Sequence, residues 1–238
     1  MDITLVFIPC HMGSATVFKE QIAHLETRYP VHVADTFSHD TIQGMAEAAL
    51  SHVSGQIIPI GLSMGGYVSM EMAHLAPQRL SGLVIMDSNP YAESEHRRKQ
   101  RLAEYNLIHR GRYAGITRAG VKQMISADNF KNANLVEQIM VMIKQAGQAI
   151  YEAQMKAIIS RQDYMATLEN LLCPSLILYG SEDSVTPPKW HHDMASVIPQ
   201  ADLIEIPNAG HMITMEAPDQ VTAHLSQFLD SIKYQASP

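Results

Sequence analysis

The chain has 238 residues, 46% of them hydrophobic and 17% charged, with a formal charge of -7. That length supplies one core and is too short to suggest two independent domains. The acidic balance argues against nucleic acid as a partner, since the only basic run, His96-Arg97-Arg98-Lys99, is short and soon interrupted by Glu104.

The first apolar run, residues 3–8, reads as a strand. It lacks a basic leader and stops at Pro9, far short of the ~20 residues a membrane span needs, so neither a signal segment nor a membrane partner is expected. Further short apolar runs follow at 31–34, 56–60, 83–86, 175–179 and 203–206. Helical stretches at 15–28, 41–51, 64–76, 188–197 and 218–232 alternate with them, bounded by serine, proline or glycine. Alternation of this kind predicts an α/β fold: a mostly parallel sheet flanked by helices. Residues 91–172 break the alternation. They show helical periodicity, as at Leu135, Ile139, Met142 and Ile143, and no strand, so a helical insertion is expected there within a core of residues 1–90 and 173–238.

Chemistry enters at Gly61-Leu62-Ser63-Met64-Gly65-Gly66, where a strand leads through a glycine-flanked serine into a helix. Such an elbow lifts a serine hydroxyl off the sheet edge, and its neighbours must be small because strand and helix backbones approach closely. The helix start also offers the Met64 N–H to a developing oxyanion. A serine hydroxyl is a weak nucleophile until a base takes its proton, and that base needs a carboxylate to orient it. Among twelve histidines, His211 stands in the loop Asn208-Ala209-Gly210-His211 after the last predicted strand. His191 and His192 fall in a helix and read as solvated surface. Asp183 follows the strand at 175–179, with Glu182 and Asp87 as alternative acids; the chain order Ser, Asp, His favours Asp183.

These residues resemble the α/β-hydrolase superfamily over nearly the whole chain. The resemblance rests on the elbow at Ser63, the Gly180-Ser181-Glu182-Asp183 turn followed by Pro187, and the His211 loop followed by Glu216-Ala217-Pro218. It is nearest to small carboxylesterases, lactonases and C–C bond hydrolases, and it implies that residues 91–172 form a helical cap. Where many relatives carry His-Gly after the first strand, this chain has Pro9-Cys10-His11-Met12-Gly13. The second oxyanion N–H is therefore assigned to Cys10 or His11, and His11 is also a candidate substrate contact. The loop at Asp35-Thr36-Phe37-Ser38-His39-Asp40 departs from the Arg-Gly-His-Gly-like turn of relatives.

The resemblance implies a serine hydrolase acting on a small to medium, mostly apolar ester, lactone or thioester. The rival readings are a C–C bond hydrolase or cofactor-independent enzyme in which His211 abstracts a proton, and a ligand receptor that keeps the pocket. Methionines 124, 140, 142, 155 and 165 are candidates for lining that pocket or for filling the cap-to-core packing. No cofactor is expected. No metal is expected either, because His191 and His192 project about 100° apart on a helix. Cys10 and Cys173 form no disulfide framework, which fits a reducing compartment, so a cytoplasmic location is expected.

Overall fold

Six strands line up as the apolar runs require. In the computed structural model, which describes residues 3–113 and 115–235, they are β1 (Thr4–Ile8), β2 (Val31–Val33), β3 (Ile57–Leu62), β4 (Leu83–Met86), β5 (Ser175–Gly180) and β6 (Ala201–Ile206). The sheet order is β2-β1-β3-β4-β5-β6, and every neighbouring pair is parallel. Strands β3, β4 and β5 are buried along their whole length, which is why their sequences carry no polar face. The chain moves outward from β1 to β2, then returns across β1 to build the rest of the sheet. That reversal opens a crevice beyond the carboxyl ends of β1 and β3.

Side chains alternate between two cores. Leu5, Phe7, Ile58, Ile60, Leu176 and Leu178 face one, together with α1 (Lys19–Leu25) and α10 (Pro218–Gln235). Val6, Ile8, Ile57, Ile85 and Ile177 face the other, under α2 (Ile42–His52), α3 (Met64–Leu75) and α8 (Pro188–Val197). Two boundaries differ from the sequence expectation for physical reasons. The helix expected over 15–28 is a short 3-10 turn, Ala15–Phe18, capped by the Ser14 hydroxyl, followed by α1. Strand β3 continues to Leu62, because Gly61 and Leu62 still pair with β1 and β4, so it runs directly into Ser63.

Residues 91–172 hold α4 (Glu95–His109), α5 (Arg118–Met124), α6 (Ala133–Ser160) and α7 (Met165–Glu169), and no strand among the described residues. Helix α6 is kinked at Gly147, whose φ is 75°. Before the kink its Val136, Ile139 and Ile143 join the first core. After it, Ala157 and Ile158, with Tyr164, Leu168 and Leu171, join the second. The segment thus wraps from one layer to the other, and its last turns pack as part of the second core. Gln154, whose side chain is fully buried, pins α6 to the strand ends: its Oε1 accepts from the Met12 N–H (2.7 Å) and its Nε2 donates to the Thr36 carbonyl (3.0 Å).

Helix α3 passes so close to β1 that a Cβ on Gly65 would stand 1.9 Å from the Ile8 carbonyl oxygen. Gly65→Ala is therefore expected to destabilise the protein by about 1–3 kcal/mol, read as a lowered urea midpoint with an unchanged m-value. A wild-type midpoint in that variant would mean that helix and strand can separate at no cost.

Candidate active site

Ser63 sits between the last residue of β3 and the first of α3 in a conformation rarely adopted by a residue with a side chain, φ 55° and ψ -112°. Its surroundings over-determine that strain. The Ser63 N–H donates to the Met86 carbonyl (2.9 Å), and its own carbonyl accepts from the Ser88 hydroxyl (2.8 Å) and the Gly66 N–H (2.9 Å). The hydroxyl that results points to His211, whose Nε2 is 2.8 Å from Ser63 Oγ.

The other ring nitrogen of His211 lies 2.8 Å from Asp183 Oδ2. Strand β5 brings Asp183 to His211. A Cβ on Gly180 would lie 2.0 Å from the Gly210 carbonyl, so the Asp183 turn and the His211 loop touch backbone to backbone. Asp183 Oδ1 accepts the N–H groups of Val185 (2.7 Å) and Thr186 (3.0 Å), and Oδ2 also accepts the Thr186 hydroxyl. Burial alone would raise the Asp183 carboxyl; the His211 charge and these donors outweigh it and hold it below the usual carboxylate value. Burial likewise pulls His211 down, but the Asp183 charge and hydrogen bond win, and the imidazole is raised above its ordinary value.

The alternative acids stand elsewhere. Glu182 is exposed, and its carboxylate accepts the Ala127 N–H at 3.3 Å. Asp87, fully buried at the end of β4, accepts the N–H groups of Gly180 (2.9 Å) and Ile213 (3.3 Å) rather than reaching His211. Burial, then the Asp183 charge, raises its carboxyl well above the ordinary range. Ligand-type atoms of Asp87, Asp183 and His211 lie within 4.8 Å of one another. All three residues direct them into these hydrogen bonds. His191 corrects the sequence expectation of solvated surface. It is fully buried, stacks on Tyr179 with ring centroids 4.9 Å apart, and accepts the Ser88 N–H at Nε2 (3.1 Å). The face of α8 turned to β5 carries it inward, while His192 on the next face is exposed.

Cys10, His11 and Met64 all line a cavity of about 180 Å³ over Ser63 and His211. The close crossing at Gly65 brings the loop after β1 against the start of α3. The N–H groups of Met64, Cys10 and His11 donate to no other described residue, which leaves them available to a ligand. Burial pushes the Cys10 thiol up to about 12 and pulls His11 down to about 4, the latter helped by the Arg101 charge; neither is ionised near neutrality. Of the methionines singled out in the insertion, Met124 lines this cavity, whereas Met142 and Met155 are core. Cys173 is buried away from the site in the second core. The sequence reading missed Arg97 and Arg101, which line the cavity from α4. Their four-residue spacing was the available signal, but the basic run that contains Arg97 was weighed only as a nucleic-acid contact.

The model of the alpha/beta hydrolase family matches residues 5–224. The chain belongs to the alpha/beta hydrolase family. Among solved structures it is similar to a thermophilic esterase from Thermogutta terrifontis, with TM-score 0.88 and 26% identity over 98% of this chain and 91% of that one. In sequence it is 24% identical to the hydrolase YugF of Bacillus subtilis, over 95% of this chain and 89% of that protein. It is 22% identical to the pimeloyl-[acyl-carrier protein] methyl ester esterase of Aliivibrio salmonicida, over 91% of this chain and 88% of that protein.

In this member of the alpha/beta hydrolase family the His211 loop is held by one further carboxylate. Glu216, in the short helix α9 (Ile213–Glu216), accepts the N–H groups of Gly210 (2.9 Å) and Met212 (3.1 Å) at Oε1. Its Oε2 accepts from the Ser126 N–H (2.7 Å) and Asn129 Nδ2 (3.0 Å), and the His211 N–H donates to the Met124 carbonyl (2.7 Å). Base loop and insertion are thus locked together. Glu216→Ala, which strips acceptors from three backbone N–H groups, is expected to cost about 1–3 kcal/mol in urea unfolding, with Glu216→Gln closer to wild type. Equal stability of the alanine variant would show the clamp to be idle.

Proposed function

We propose that the protein is a carboxylic ester hydrolase in which Ser63 is the nucleophile, His211 the general base and Asp183 the acid that orients it. The observation that carries this reading is the continuous chain from Ser63 Oγ to His211 to Asp183, two contacts of 2.8 Å each. His211 takes the Ser63 proton as Oγ attacks the ester carbonyl. The N–H groups of Met64 and of Cys10 or His11 hold the oxyanion, and the departing alcohol takes the proton from His211. A water molecule then attacks the acyl-enzyme, gives its proton to His211 and frees the acid, after which the proton returns to Ser63. Residues 91–172 serve as a cap that keeps bulk water from the acyl-enzyme, over a core of residues 1–90 and 173–238. The cavity of about 180 Å³ favours small substrates, whether open esters, lactones or thioesters.

A fluorophosphonate probe is expected to label Ser63 stoichiometrically, and Ser63→Ala to lose label and at least ~10⁴-fold in kcat on short p-nitrophenyl esters. Ser63→Ala retaining most turnover would point instead to proton abstraction by His211; tight ligand binding with no turnover on any ester would point to a receptor.

The direction of the His211 shift fixes the pH response. The base works only when unprotonated, so activity is lost as pH falls through its pKa. With that pKa raised, the acid limb of kcat/KM is expected to have its midpoint above the ordinary 6.5. Asp183→Asn is expected to move the midpoint down and to lower kcat by about 10³–10⁴-fold. An acid limb centred below 6.5 in the wild type would mean that burial of His211 outweighs the Asp183 charge.

A further inference from the structure

The wall opposite the triad carries more positive charge than an apolar ester needs. Arg97 and Arg101 stand one turn apart on α4, so their side chains share a face, and both line the cavity that holds Ser63 and His211. One carboxylate serves this cluster. Glu93, with 1% of its side chain exposed, accepts from Arg101 Nε (2.7 Å) and from Nη1 of the buried Arg161 (2.9 Å) at the same oxygen. Arg161 spends its remaining contacts inward, on the carbonyls of Tyr91 and Ile158 and the ring of Tyr67. Arg97 forms no ion pair among the described residues; its guanidinium lies over the Trp190 ring, 5.4 Å from the centroid. Three guanidiniums therefore face one carboxylate, and the surplus is presented by the two that line the cavity.

No carboxylate besides Glu93 pairs with Arg97 or Arg101 among the described residues: Glu104 accepts the Tyr151 hydroxyl, Glu95 pairs with Lys99, and Asp183 lies against His211. The positive field reaches the chamber, since the Arg101 charge is one reason His11 stays neutral. His11 lines the same cavity, its ring packed on Tyr151 with centroids 5.0 Å apart and its Nε2 buried without a hydrogen-bond partner. Ile116, Met124, Ile158 and Val185 supply apolar wall between these polar groups.

We propose that this chamber, resting on Ser63 as the nucleophile, selects short esters that also carry a free carboxylate, with Arg97 and Arg101 binding that carboxylate. Planar guanidiniums match a carboxylate by paired N–H donors. The cavity, at about 180 Å³, holds a half-ester of a short dicarboxylic acid and little more. Hydrolysis of such a half-ester consumes one water and releases an alcohol, the dicarboxylate and one proton.

The test compares kcat/KM for monoethyl succinate with that for ethyl succinamate, its neutral isostere, and for ethyl 3-phosphonopropanoate. A preference of about 10–100-fold for the succinate over the succinamate is expected, as charge-assisted hydrogen bonds give. That ratio should fall by about 10-fold in Arg97→Gln and in Arg101→Gln, recover in part in Arg97→Lys, and shrink with added salt. Arg97→Gln leaves no carboxylate unpaired, so its folding is the safer of the two. In a Ser63→Ala background, calorimetry should detect monoethyl succinate binding that Arg97→Gln weakens. A ratio near one, or a ratio unmoved by both glutamine variants, overturns the inference even where the fluorophosphonate labels Ser63. A preference for the phosphonate overturns the carboxylate assignment. Failure of the label with charge-selective binding intact would remove the nucleophile and leave the anion site standing.

Discussion

Everything at the carboxyl edge of this sheet depends on one backbone crossing, that of α3 over β1 at Gly65. Because the helix can approach the Ile8 carbonyl so closely, the chain leaving β3 must turn within a single residue, and that residue is Ser63. Its positive φ follows from the turn. The same approach puts the loop after β1 beside the first free N–H groups of α3, so the position of the Ser63 hydroxyl and the N–H groups around it arise from one steric event. A looser crossing would supply neither. The strain is contained by hydrogen bonds from β4 and the segment after it, Met86 and Ser88, which come from the neighbouring strand. Strand pairing in the sheet thus fixes a side chain that belongs to none of its strands.

Electrostatics divide the two carboxylates under His211. Asp183 receives two backbone N–H groups, a hydroxyl and the imidazole, enough donors to keep it charged. Asp87 lies close by, receives two backbone N–H groups and sits next to the Asp183 charge. A second anion there would repel the first, and burial adds to that cost, so the Asp87 carboxyl is raised while that of Asp183 is lowered. Asp87 accepts from both sides: Gly180 ends β5 just before the turn that carries Asp183 and Ile213 follows the loop that carries His211, so one buried carboxyl ties the two segments together.

Much of this was legible in the sequence because it follows from local rules. Parallel buried strands announce themselves as short apolar runs, and a serine between glycines at a strand-to-helix junction marks a tight turn. Asp183 and His211 could be selected because chain order and loop position restrict them to two strand ends. The rest depends on which helix face turns inward. His191 looked like surface because its neighbours Lys189, His192 and Asp193 are polar, yet the α8 face toward Tyr179 takes it into the core. Arg97 and Arg101 were hidden for the same reason: basic residues on an insertion helix do not say which of them look back at the sheet. Gln154 and Glu216 act through partners distant in sequence, Met12 and Ser126 among them, and no periodicity encodes such pairings.

The clamp at Glu216 bears on how separable the insertion is. Its carboxylate divides its two oxygens between the base loop and the segment after α5, while Gln154 of α6 supplies the acceptor for Met12 in the loop beside the nucleophile. Residues 91–172 are therefore not an interchangeable module set on a finished catalytic platform. A segment grafted from another family member would have to bring its own donors for Glu216 and its own acceptor for Met12, or the histidine loop would lose its register. The shape of the cavity wall and the placement of His211 thus rest on the same two anchors, and only side chains that leave both in place can be exchanged independently.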